Sequence, residues 1–395
     1  MDTFETLAHK IHDSGMQGVI AITGGGLGAF NLLCRFGGAS KMLLEGHIPY
    51  ATESFQEYVN GQPEKWVSAE AARQLAMVAF QRAQYLSAKA GKAGTDNLFG
   101  LASSASLVRH EGERPGRTHR VAIAFHSSKM THVIEYHLKF DTRPAQEDAT
   151  SELILYNVAK AVGFIGIGEH TDTRAVRAVF QQTQQAQGEW PKLYKADPFA
   201  CYGDGRERPH SINAILPGSF NPKHEGHEEM QKVGIRRLKV PVLFELSIAN
   251  VDKPTLDYIS IAERVKQFHH GDIILTNAPL AETKARLFPD STILVGMDTW
   301  NRIINPKYYG GSFEGNLERM GMALKNIKAL SCRFLVFGRM VDGVFKSLDD
   351  NTGAELGNTL KMAARSLADA VTEEEFHRDI SSTELRAKAK EIKGC

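Results

Sequence analysis

One segment of the chain combines residue types that bind phosphate with the spacing of a sharp turn. It reads Gly218-Ser219-Phe220-Asn221-Pro222-Lys223-His224-Glu225-Gly226-His227, and it lies between an apolar run at 212–216 and a helical pattern. Gly218 and Pro222 suit an abrupt change from strand to helix, and a glycine lets a phosphate approach the main chain closely. Where the helix begins, near His224, free N–H groups and the helix dipole favour an anion.

Two histidines stand at the predicted start of this helix. His224 and His227 are three residues apart and therefore share one helix face. Two imidazole donors there suit the α-phosphate of a nucleoside triphosphate, where charge builds during attack, and losing one such donor costs about 100- to 1000-fold in rate. An HxxH pair is also a metal-site pattern, but this sequence places only two ligands close together.

A second segment with phosphate-binding character lies far downstream, at residues 380–386. It reads Ile380-Ser381-Ser382-Thr383-Glu384-Leu385-Arg386. Ser381 and Glu384 have the spacing of a capping box, and Arg386 adds a planar cation that binds phosphate well. Alone, such a run is an ordinary helix cap. Behind the first segment, it predicts one shared site for a triphosphate.

Together the two segments resemble the HxGH nucleotidyltransferase superfamily, in which a GxFxPxHxGH turn and an ISSTxxR cap bind ATP or CTP. The resemblance covers about residues 209–395. Within it, Leu294-Val295-Gly296-Met297-Asp298-Thr299-Trp300 is similar to the strand-end Gly-x-Asp segment of nicotinamide or nicotinate mononucleotide adenylyltransferases. The resemblance implies transfer of a nucleotidyl group to a phosphorylated acceptor, with release of pyrophosphate.

The resemblance also implies roles for individual residues. The catalytic residues would be His224, His227 and Arg386. The nucleotide-binding residues would be Gly218, Ser219, Phe220, Asn221, Gly226, Ile380, Ser381, Ser382 and Thr383. The acceptor-binding residues would be Lys253, Gly296, Asp298 and Trp300, although Lys253 has the alternative of being a solvated loop lysine. Mg²⁺ is the expected cofactor, bridging phosphate oxygens with few protein ligands of its own.

A glycine-rich turn near the N-terminus admits two interpretations from its residues alone. A predicted strand at 18–22 runs into Thr23-Gly24-Gly25-Gly26-Leu27-Gly28-Ala29 and then a helix. Gly24, Gly26 and Ala29 fit the GxGxxA pattern of a dinucleotide-binding turn, with Glu45 about 20 residues on. The residues before Glu45 do not make a convincing second strand, however. The other interpretation is a glycine turn that serves close packing.

A third interpretation of the same half rests on a resemblance to the CinA C-terminal domain, over about residues 3–165. It is carried by Thr23-Gly24-Gly25, Gly38-Ala39-Ser40, Gly46 to Tyr50, Val67-Ser68 and Ala71-Ala72. In that family the domain deamidates nicotinamide mononucleotide. The resemblance implies a CinA-like α/β domain with a pocket formed by Thr23, Gly24, Gly25, Tyr50 and Ser103.

The chain departs from the CinA pattern at the nucleophile. The family motif reads Glu-Ser-Cys-Thr-Gly-Gly with a nucleophilic serine, and Ala21 stands at that serine position. An alanine cannot be a nucleophile. Two hypotheses follow: a degenerate domain that binds a pyridine nucleotide or supports an oligomer, or an amidohydrolase that uses Thr23, Ser103 or Ser104 instead.

The remaining pattern predicts how these segments are positioned. Buried parallel strands are predicted at 212–216, 242–248, 272–276, 292–295 and 333–337, with helices including 256–268 and 314–329. The expected fold is α/β with two domains, and the C-terminal one is a Rossmann-like doubly wound parallel sheet that binds ligands at the strands' carboxyl ends. The predicted domains are 1–165 and 209–395, joined by a helix and polar linker at 166–208.

Composition narrows the partners. The 395 residues are 42% hydrophobic and 24% charged, with a formal net charge of +1. A charge near zero gives no electrostatic case for nucleic acid or an anionic membrane. The four widely spaced cysteines and the absence of an apolar leader favour a cytoplasmic protein. The expected partners are therefore ATP or CTP and a phosphorylated small molecule, with a homo-oligomer as an open option.

Two alternatives to an adenylyltransferase remain open from the sequence. One is a cytidylyltransferase that acts on a different phosphorylated acceptor, since the residues do not identify the nucleobase. The other is a sensing or scaffolding protein whose transferase segments bind a nucleotide without turnover. Pyrophosphate release that depends on an acceptor distinguishes an enzyme from a binder.

Overall fold

The computed structural model describes residues 4–92, 94–109, 116–166, 175–208, 210–250, 253–310, 313–341, 344–348 and 357–376. The chain divides into two compact units. Unit 1 comprises Met1–Gln187 and Asp252–Ala262, and unit 2 comprises Gly188–Val251 and Glu263–Cys395. The fold is α/β in both units, as the sequence predicts.

Unit 1 is built on one mixed sheet. Its elements are α1 (Phe4–His12), β1 (Gln17–Thr23), α2 (Gly28–Cys34), β2 (Leu43–His47), α3 (Thr52–Val59), α4 (Ala69–Lys89), β3 (Leu98–Ser106), β4 (His119–Ser127), β5 (Met130–Leu138), α5 (Arg143–Ala161) and β6 (Val176–Gln185). Among the described residues the sheet order is β2-β1-β3-β4-β5-β6. β2, β1 and β3 are parallel, and the remaining pairs are antiparallel.

Alternation along β1 assigns its side chains to two cores. Ile20 and Ile22 are buried in a cluster with apolar residues of α1, α2 and α5. Ala21 is buried in a second cluster with residues of α3 and α4. Small residues let α4 lie close to the sheet, because a Cβ at Gly100 would lie 2.1 Å from the backbone nitrogen of Phe80. Helices therefore cover both faces of the sheet.

Two parts of unit 1 differ from the sequence prediction. Residues 43–47 form β2, parallel to β1, although the sequence around Glu45 shows no convincing strand. Residues 176–185 form β6, paired with β5, where a helix and polar linker is predicted. The predicted linker at 166–208 is wrong over this stretch, because exposed or half-buried glutamines are compatible with an outer strand whose backbone pairs with β5.

Unit 2 is built on a largely parallel sheet. Its elements are β7 (Ala200–Tyr202), β8 (Ala214–Pro217), α6 (Glu225–Leu238), β9 (Leu243–Ser247), the end of α7 (Tyr258–Val265), β10 (Ile273–Thr276), α8 (Ala281–Leu287), β11 (Thr292–Gly296), α9 (Met297–Ile303), α10 (Phe313–Ala329), β12 (Arg333–Phe337), β13 (Arg339–Val341), β14 (Val344–Lys346), α11 (Asn358–Arg365) and β15 (Ala368–Val371). The five predicted strands and both predicted helices are confirmed.

The strand order of unit 2 is that of a doubly wound fold. Within the described residues it reads β15-β12-β11-β8-β9-β10-β7, and β7 is the antiparallel member. Counting the six parallel strands along the chain, the order is the Rossmann order 3-2-1-4-5-6. It reverses between β8 and β11, which are neighbours. Ligands of such sheets bind at the carboxyl ends of the strands where this reversal occurs.

Candidate functional site

The residues that follow β8, named here the Gly218 turn (218–224), lie at the reversal of strand order. The backbone N–H of Gly218 donates to the carbonyl of Glu245 at 2.9 Å, which ties the turn to β9. On the other side of β8, β11 ends at Gly296, the N-cap of α9. The sequence-predicted Gly218 and Gly296 are therefore at the carboxyl ends of adjacent strands, where a nucleotide is expected.

Phe220 gives the Gly218 turn an unusual backbone. Its φ is 44°, in the left-handed region that a bulky residue rarely adopts. The side chain is fully buried, with ring centroids 5.4 Å from Phe244 and 5.0 Å from Phe268. Strained residues of this kind persist where surrounding packing holds them, and they cluster at functional sites.

His224 and His227 stack at the start of α6. Their ring centroids are 3.7 Å apart, and His224 is the N-cap residue. The backbone N–H of His224 donates to Nδ1 of His227 at 3.2 Å, so the ring proton of a neutral His227 must lie on Nε2. Burial, with help from His224 and Lys223, lowers the pKa of His227 to about 3. His227 is thus a neutral donor at physiological pH.

His224 presents an unsatisfied polar atom at the same place. The His224 side chain faces the backbone N–H of His227 in a capping box, but that N–H donates to the His224 carbonyl at 2.9 Å, and the buried Nδ1 makes no hydrogen bond among the described residues. Burial lowers the pKa of His224 as well. Leaving a buried polar nitrogen unpaired costs free energy, about 1–3 kcal/mol. A ligand oxygen bound at the helix N-terminus would remove that cost, since the first N–H groups of a helix also lack intrahelical partners.

The geometry does not support a metal site at these histidines. The two rings stack instead of converging on one point. Among the described residues, no group of three or more His, Cys, Asp or Glu side chains could hold a metal ion.

The predicted acceptor-binding residues lie in different environments. Asp298 lies in the first turn of α9 near the end of β11, exposed, and pairs with Arg339. Trp300 is 1% exposed and packs edge-on against Phe334, so its side chain belongs to the core. Lys253 falls in the segment Asp252–Ala262 of unit 1, and so it is not part of the body that carries the Gly218 turn. Asp298 alone of these three side chains stands accessible at a strand end of unit 2.

The second predicted phosphate-binding segment lies outside the described residues. It comprises Ile380, Ser381, Ser382, Thr383 and Arg386. Of the residues predicted to bind the nucleotide, the structure therefore places Gly218, Ser219, Phe220, Asn221 and Gly226, which stand together at the junction of β8 and α6.

The glycine-rich segment after β1, named here the Gly24 turn (23–28), is closed by the protein's own groups. The N–H of Gly26 donates to Oε2 of Glu147 at 2.5 Å, where a bound pyrophosphate would need that donor. A Cβ at Gly24 would lie 2.0 Å from the carbonyl oxygen of Ala105. Glu45, the candidate ribose ligand, accepts from Arg82 at 2.7 Å. These contacts fit the close-packing interpretation rather than a dinucleotide-binding turn.

Two hydroxyls of this region, those of Thr23 and Ser104, donate to main-chain carbonyls, whereas the buried Ser103 Oγ has no hydrogen-bond partner among the described residues. Thr23 donates to Pro49 at 2.9 Å. Ser104, its register partner on β3, donates to Trp66 at 2.6 Å. Strand alternation puts Ser103 on the opposite face of the sheet, so Ser104 is the serine beside Thr23. The predicted grouping of Thr23 with Ser103 is wrong in this respect, because one residue along a strand changes the face.

Tyr50 and the start of α5 complete the surroundings of the Gly24 turn. Arg143 donates to Oε1 of Glu147 at 2.7 Å and to the carbonyl of Gly24 at 3.1 Å. The Arg143 side chain also hydrogen-bonds Tyr50, which is exposed. Arg143 and Glu147 are absent from the sequence-predicted pocket, and no local spacing signals them, since they lie about 120 residues from the glycines they contact.

Comparison with known proteins gives matches to solved structures alone. No family model and no curated protein matches the chain. A competence or damage-inducible protein from Enterobacter asburiae is similar at 17% identity and a TM-score of 0.31, covering 41% of this chain and 98% of that one. A CinA superfamily protein from Escherichia coli is similar at 16% identity and a TM-score of 0.32, covering 41% and 91%.

A third similar structure is competence/damage inducible protein CihA from Agrobacterium tumefaciens, at 17% identity and a TM-score of 0.31, covering 41% of this chain and 99% of that one. At these identities and TM-scores the similarity carries no inference about activity. Within the described part of the chain, no helix is both long and apolar enough to cross a membrane.

Proposed function

We propose that unit 2 is a nucleotidyltransferase that moves AMP from ATP to nicotinamide or nicotinate mononucleotide and releases pyrophosphate. One observation carries the proposal. Two stacked neutral histidines stand at the N-terminus of α6, where the strand order of the sheet reverses, and one of them has a buried nitrogen without a described partner. This is the arrangement that a phosphate group would complete. The choice of acceptor rests on the resemblance around Gly296 and Asp298.

The reaction requires no covalent enzyme intermediate. An oxygen of the acceptor phosphate attacks the α-phosphorus in line, and the bond from that phosphorus to the bridging oxygen of pyrophosphate breaks. Nε2–H of His227 and the imidazole of His224 donate to the α-phosphate oxygens, which gain charge in the transition state. Positioning and electrostatic stabilisation account for the rate in such reactions.

Mg²⁺ would be held mainly by the substrate. The described residues offer no cluster of carboxylates for it. Mg²⁺ usually keeps several waters and binds through substrate phosphates with one or two carboxylates. When bound, it would neutralise charge on the triphosphate. Ser382, Thr383 and Arg386 would hold the β- and γ-phosphates, as the resemblance implies.

Unit 1 is proposed to be a CinA-like domain without deamidase chemistry. Ala21, at the family's serine position, is fully buried in an apolar cluster with no hydroxyl to offer. The Thr23 and Ser104 hydroxyls donate to carbonyls instead of to a base. An amidohydrolase with a relocated nucleophile would release ammonia from nicotinamide mononucleotide, and the release would be lost in Thr23→Ala. We expect no release from the full chain.

Pyrophosphate release by the full chain tests the proposal for unit 2. ATP and CTP are each supplied with nicotinamide mononucleotide, nicotinate mononucleotide or no acceptor, with Mg²⁺ present. We expect release that requires an acceptor and is faster with ATP. Faster release with CTP would favour the cytidylyltransferase alternative. Nucleotide binding without release from any pair would indicate a scaffold and contradict the proposal.

A further inference from the structure

We propose that Gln267 is a positioning residue for nucleotidyl transfer, acting by holding the Gly218 turn in the shape that aims His224 and His227. This inference rests on the proposed function of unit 2. Gln267 lies just beyond α7, and nothing in the sequence pattern singles it out.

The Gln267 amide spans the turn. Its Oε1 accepts from the backbone N–H of Lys223 at 2.8 Å, and its Nε2 donates to the carbonyl of Phe220 at 2.9 Å. Nε2 also lies 3.2 Å from the carbonyl of Arg264, which ties the same side chain to the end of α7. One side chain therefore fixes the two ends of the stretch 220–223, immediately before the histidine at the N-cap.

This stretch needs external support. Phe220 holds a left-handed backbone, which costs about 1–3 kcal/mol for a non-glycine residue. Lys223 immediately precedes His224, so any relaxation at Phe220 or Lys223 moves the N-cap imidazole. A misplacement of about 1 Å costs about 100-fold in rate when positioning carries the reaction. We call the two hydrogen bonds from Gln267 to Phe220 and Lys223 the Gln267 clamp. Losing this clamp should therefore affect turnover more than it affects folding.

The Lys223 side chain contacts other residues and does not replace the Gln267 clamp. Its Nζ lies 3.0 Å from Oε1 of Glu228 and about 5 Å from the ring centroids of Phe244 and Phe268. The backbone N–H of Lys223 donates to Oε1 of Gln267.

The chain contains a matched control for this clamp. Asn277 in the same unit also bridges a loop with one amide: its Oδ1 accepts from Phe199 N–H at 2.7 Å, and its Nδ2 donates to the carbonyls of Lys195 and Asp197 at 3.1 and 2.9 Å. Asn277 holds no residue of the Gly218 turn. Removing either amide should cost similar stability, because the lost hydrogen bonds are of the same kind.

The experiment compares Gln267→Met with Asn277→Leu in the full chain, measuring kcat and KM for pyrophosphate release and the free energy of unfolding. We expect kcat to fall about 10- to 100-fold in Gln267→Met, with KM for the acceptor little changed. In Asn277→Leu kcat should stay within about 2-fold, because the histidines keep their geometry.

Gln267→Glu adds a readout that a merely structural residue would not give. A carboxylate accepts from Lys223 but cannot donate to Phe220, whereas a protonated carboxyl can do both. The activity of Gln267→Glu relative to wild type should therefore rise as pH falls toward the glutamate pKa, about 4.3 in model peptides.

Each outcome is decisive. A Gln267→Met kcat no lower than that of Asn277→Leu, with an active wild type, overturns this inference alone. A wild-type chain that releases no pyrophosphate with any triphosphate and acceptor overturns the proposed function and this inference together. A selective loss of kcat, with recovery of Gln267→Glu at low pH, supports it.

Discussion

The Gly218 turn and the Gly24 turn share a framework and differ in what occupies it. Each follows a parallel strand at its carboxyl end and leads into a helix, α6 in one case and α2 in the other. In the Gly24 turn, the carboxylate of Glu147 accepts a hydrogen bond from the Gly26 N–H. In the Gly218 turn, the Nδ1 of His224 is buried without a described partner. The same strand–turn–helix geometry thus gives one junction whose Gly26 N–H is paired with a side chain of the protein, and one whose His224 Nδ1 has no described partner.

The difference indicates that a glycine-rich turn can bind a ligand when its hydrogen-bond donors are not already paired with other groups of the protein. In unit 1 the Thr23 hydroxyl donates to a main-chain carbonyl and the Gly26 N–H donates to a carboxylate of the protein. In unit 2 Phe220 has a left-handed backbone, and His224 Nδ1 has no hydrogen-bond partner among the described residues, so a ligand could bind it. Substitutions in or near the two turns test this difference between them, and they are given in decreasing order of expected effect.

The largest effect is expected from the buried ion pair beneath the Gly218 turn. Lys284 donates to both carboxylate oxygens of Glu245 at 2.7 Å, and both side chains are buried. Lys284→Met leaves the carboxylate buried without its cation, with the Thr276 hydroxyl still donating to it, so the free energy of unfolding should fall by about 3–5 kcal/mol. Chemical denaturation measures it.

The control for Lys284 lies on the same helix. Arg286 is exposed and pairs with Glu282, which keeps a hydrogen bond from Asn326, and pairs at the surface contribute about 0–1 kcal/mol. Arg286→Met should therefore leave the free energy of unfolding nearly unchanged. Equal losses in Lys284→Met and Arg286→Met would contradict a structural role for the buried pair.

Opening the Gly24 turn is expected to have an intermediate effect. Glu147→Ala removes the acceptor of the Gly26 N–H and the partner of Arg143, so unfolding free energy should fall by about 1–3 kcal/mol. Inorganic phosphate should restore part of the loss, because the freed donors then face an anion. Thermal melts with and without phosphate measure both effects.

An exposed glutamate of the same helix provides the comparison for Glu147. Glu152→Ala should change neither the melting temperature nor its response to phosphate by a measurable amount. If Glu147→Ala and Glu152→Ala behave alike, the carboxylate does not close the Gly24 turn.

A smaller effect is expected at the hydroxyl that ends β1. Thr23→Val keeps the shape of the side chain and removes its hydrogen bond to Pro49. The free energy of unfolding should fall by about 1 kcal/mol, the typical value of one such bond. A loss of ligand-dependent activity far beyond this stability change would indicate that Thr23 is chemically active.

The smallest expected signal is in the pH dependence of kcat/KM between pH 5 and 8. The pKa of His227 is lowered to about 3 by burial. A neutral His227 therefore stabilises the fold fully above pH 6.5, and this contribution is lost as pH falls from 6.5 toward 3. Between pH 5 and 8, kcat/KM should show no ionisation of His227. A limb near pH 6.5 that disappears in His227→Gln would contradict the neutral donor.

Sequence patterns predict the framework of unit 2 well, because buried parallel strands are continuous apolar runs with turn residues at their ends. The five predicted strands and the Gly218 turn follow from such local signals. β6 escaped prediction because its stability comes from pairing with β5 and its glutamines resemble a linker. Trp300 was assigned to acceptor binding because a strand-end position does not reveal that its side chain packs on Phe334.

The residues that shape each turn are less predictable than the turns themselves. Gln267 contacts Lys223 across 44 positions, and Glu147 contacts Gly26 across 121. Neither contact follows from periodicity or spacing, because the tertiary fold brings the partners together. Local sequence therefore identifies candidate turns, and distant residues decide whether their donors are open.

The most direct test of the contrast is the rate of pyrophosphate release in His227→Ala and Thr23→Val, measured beside the wild-type full chain with ATP, nicotinamide mononucleotide and Mg²⁺. We predict a fall in kcat of about 100- to 1000-fold for His227→Ala, because a transition-state donor is lost, and no change beyond about 2-fold for Thr23→Val. A wild-type rate retained in His227→Ala, or a loss confined to Thr23→Val, would contradict the assignment of the chemistry to the Gly218 turn.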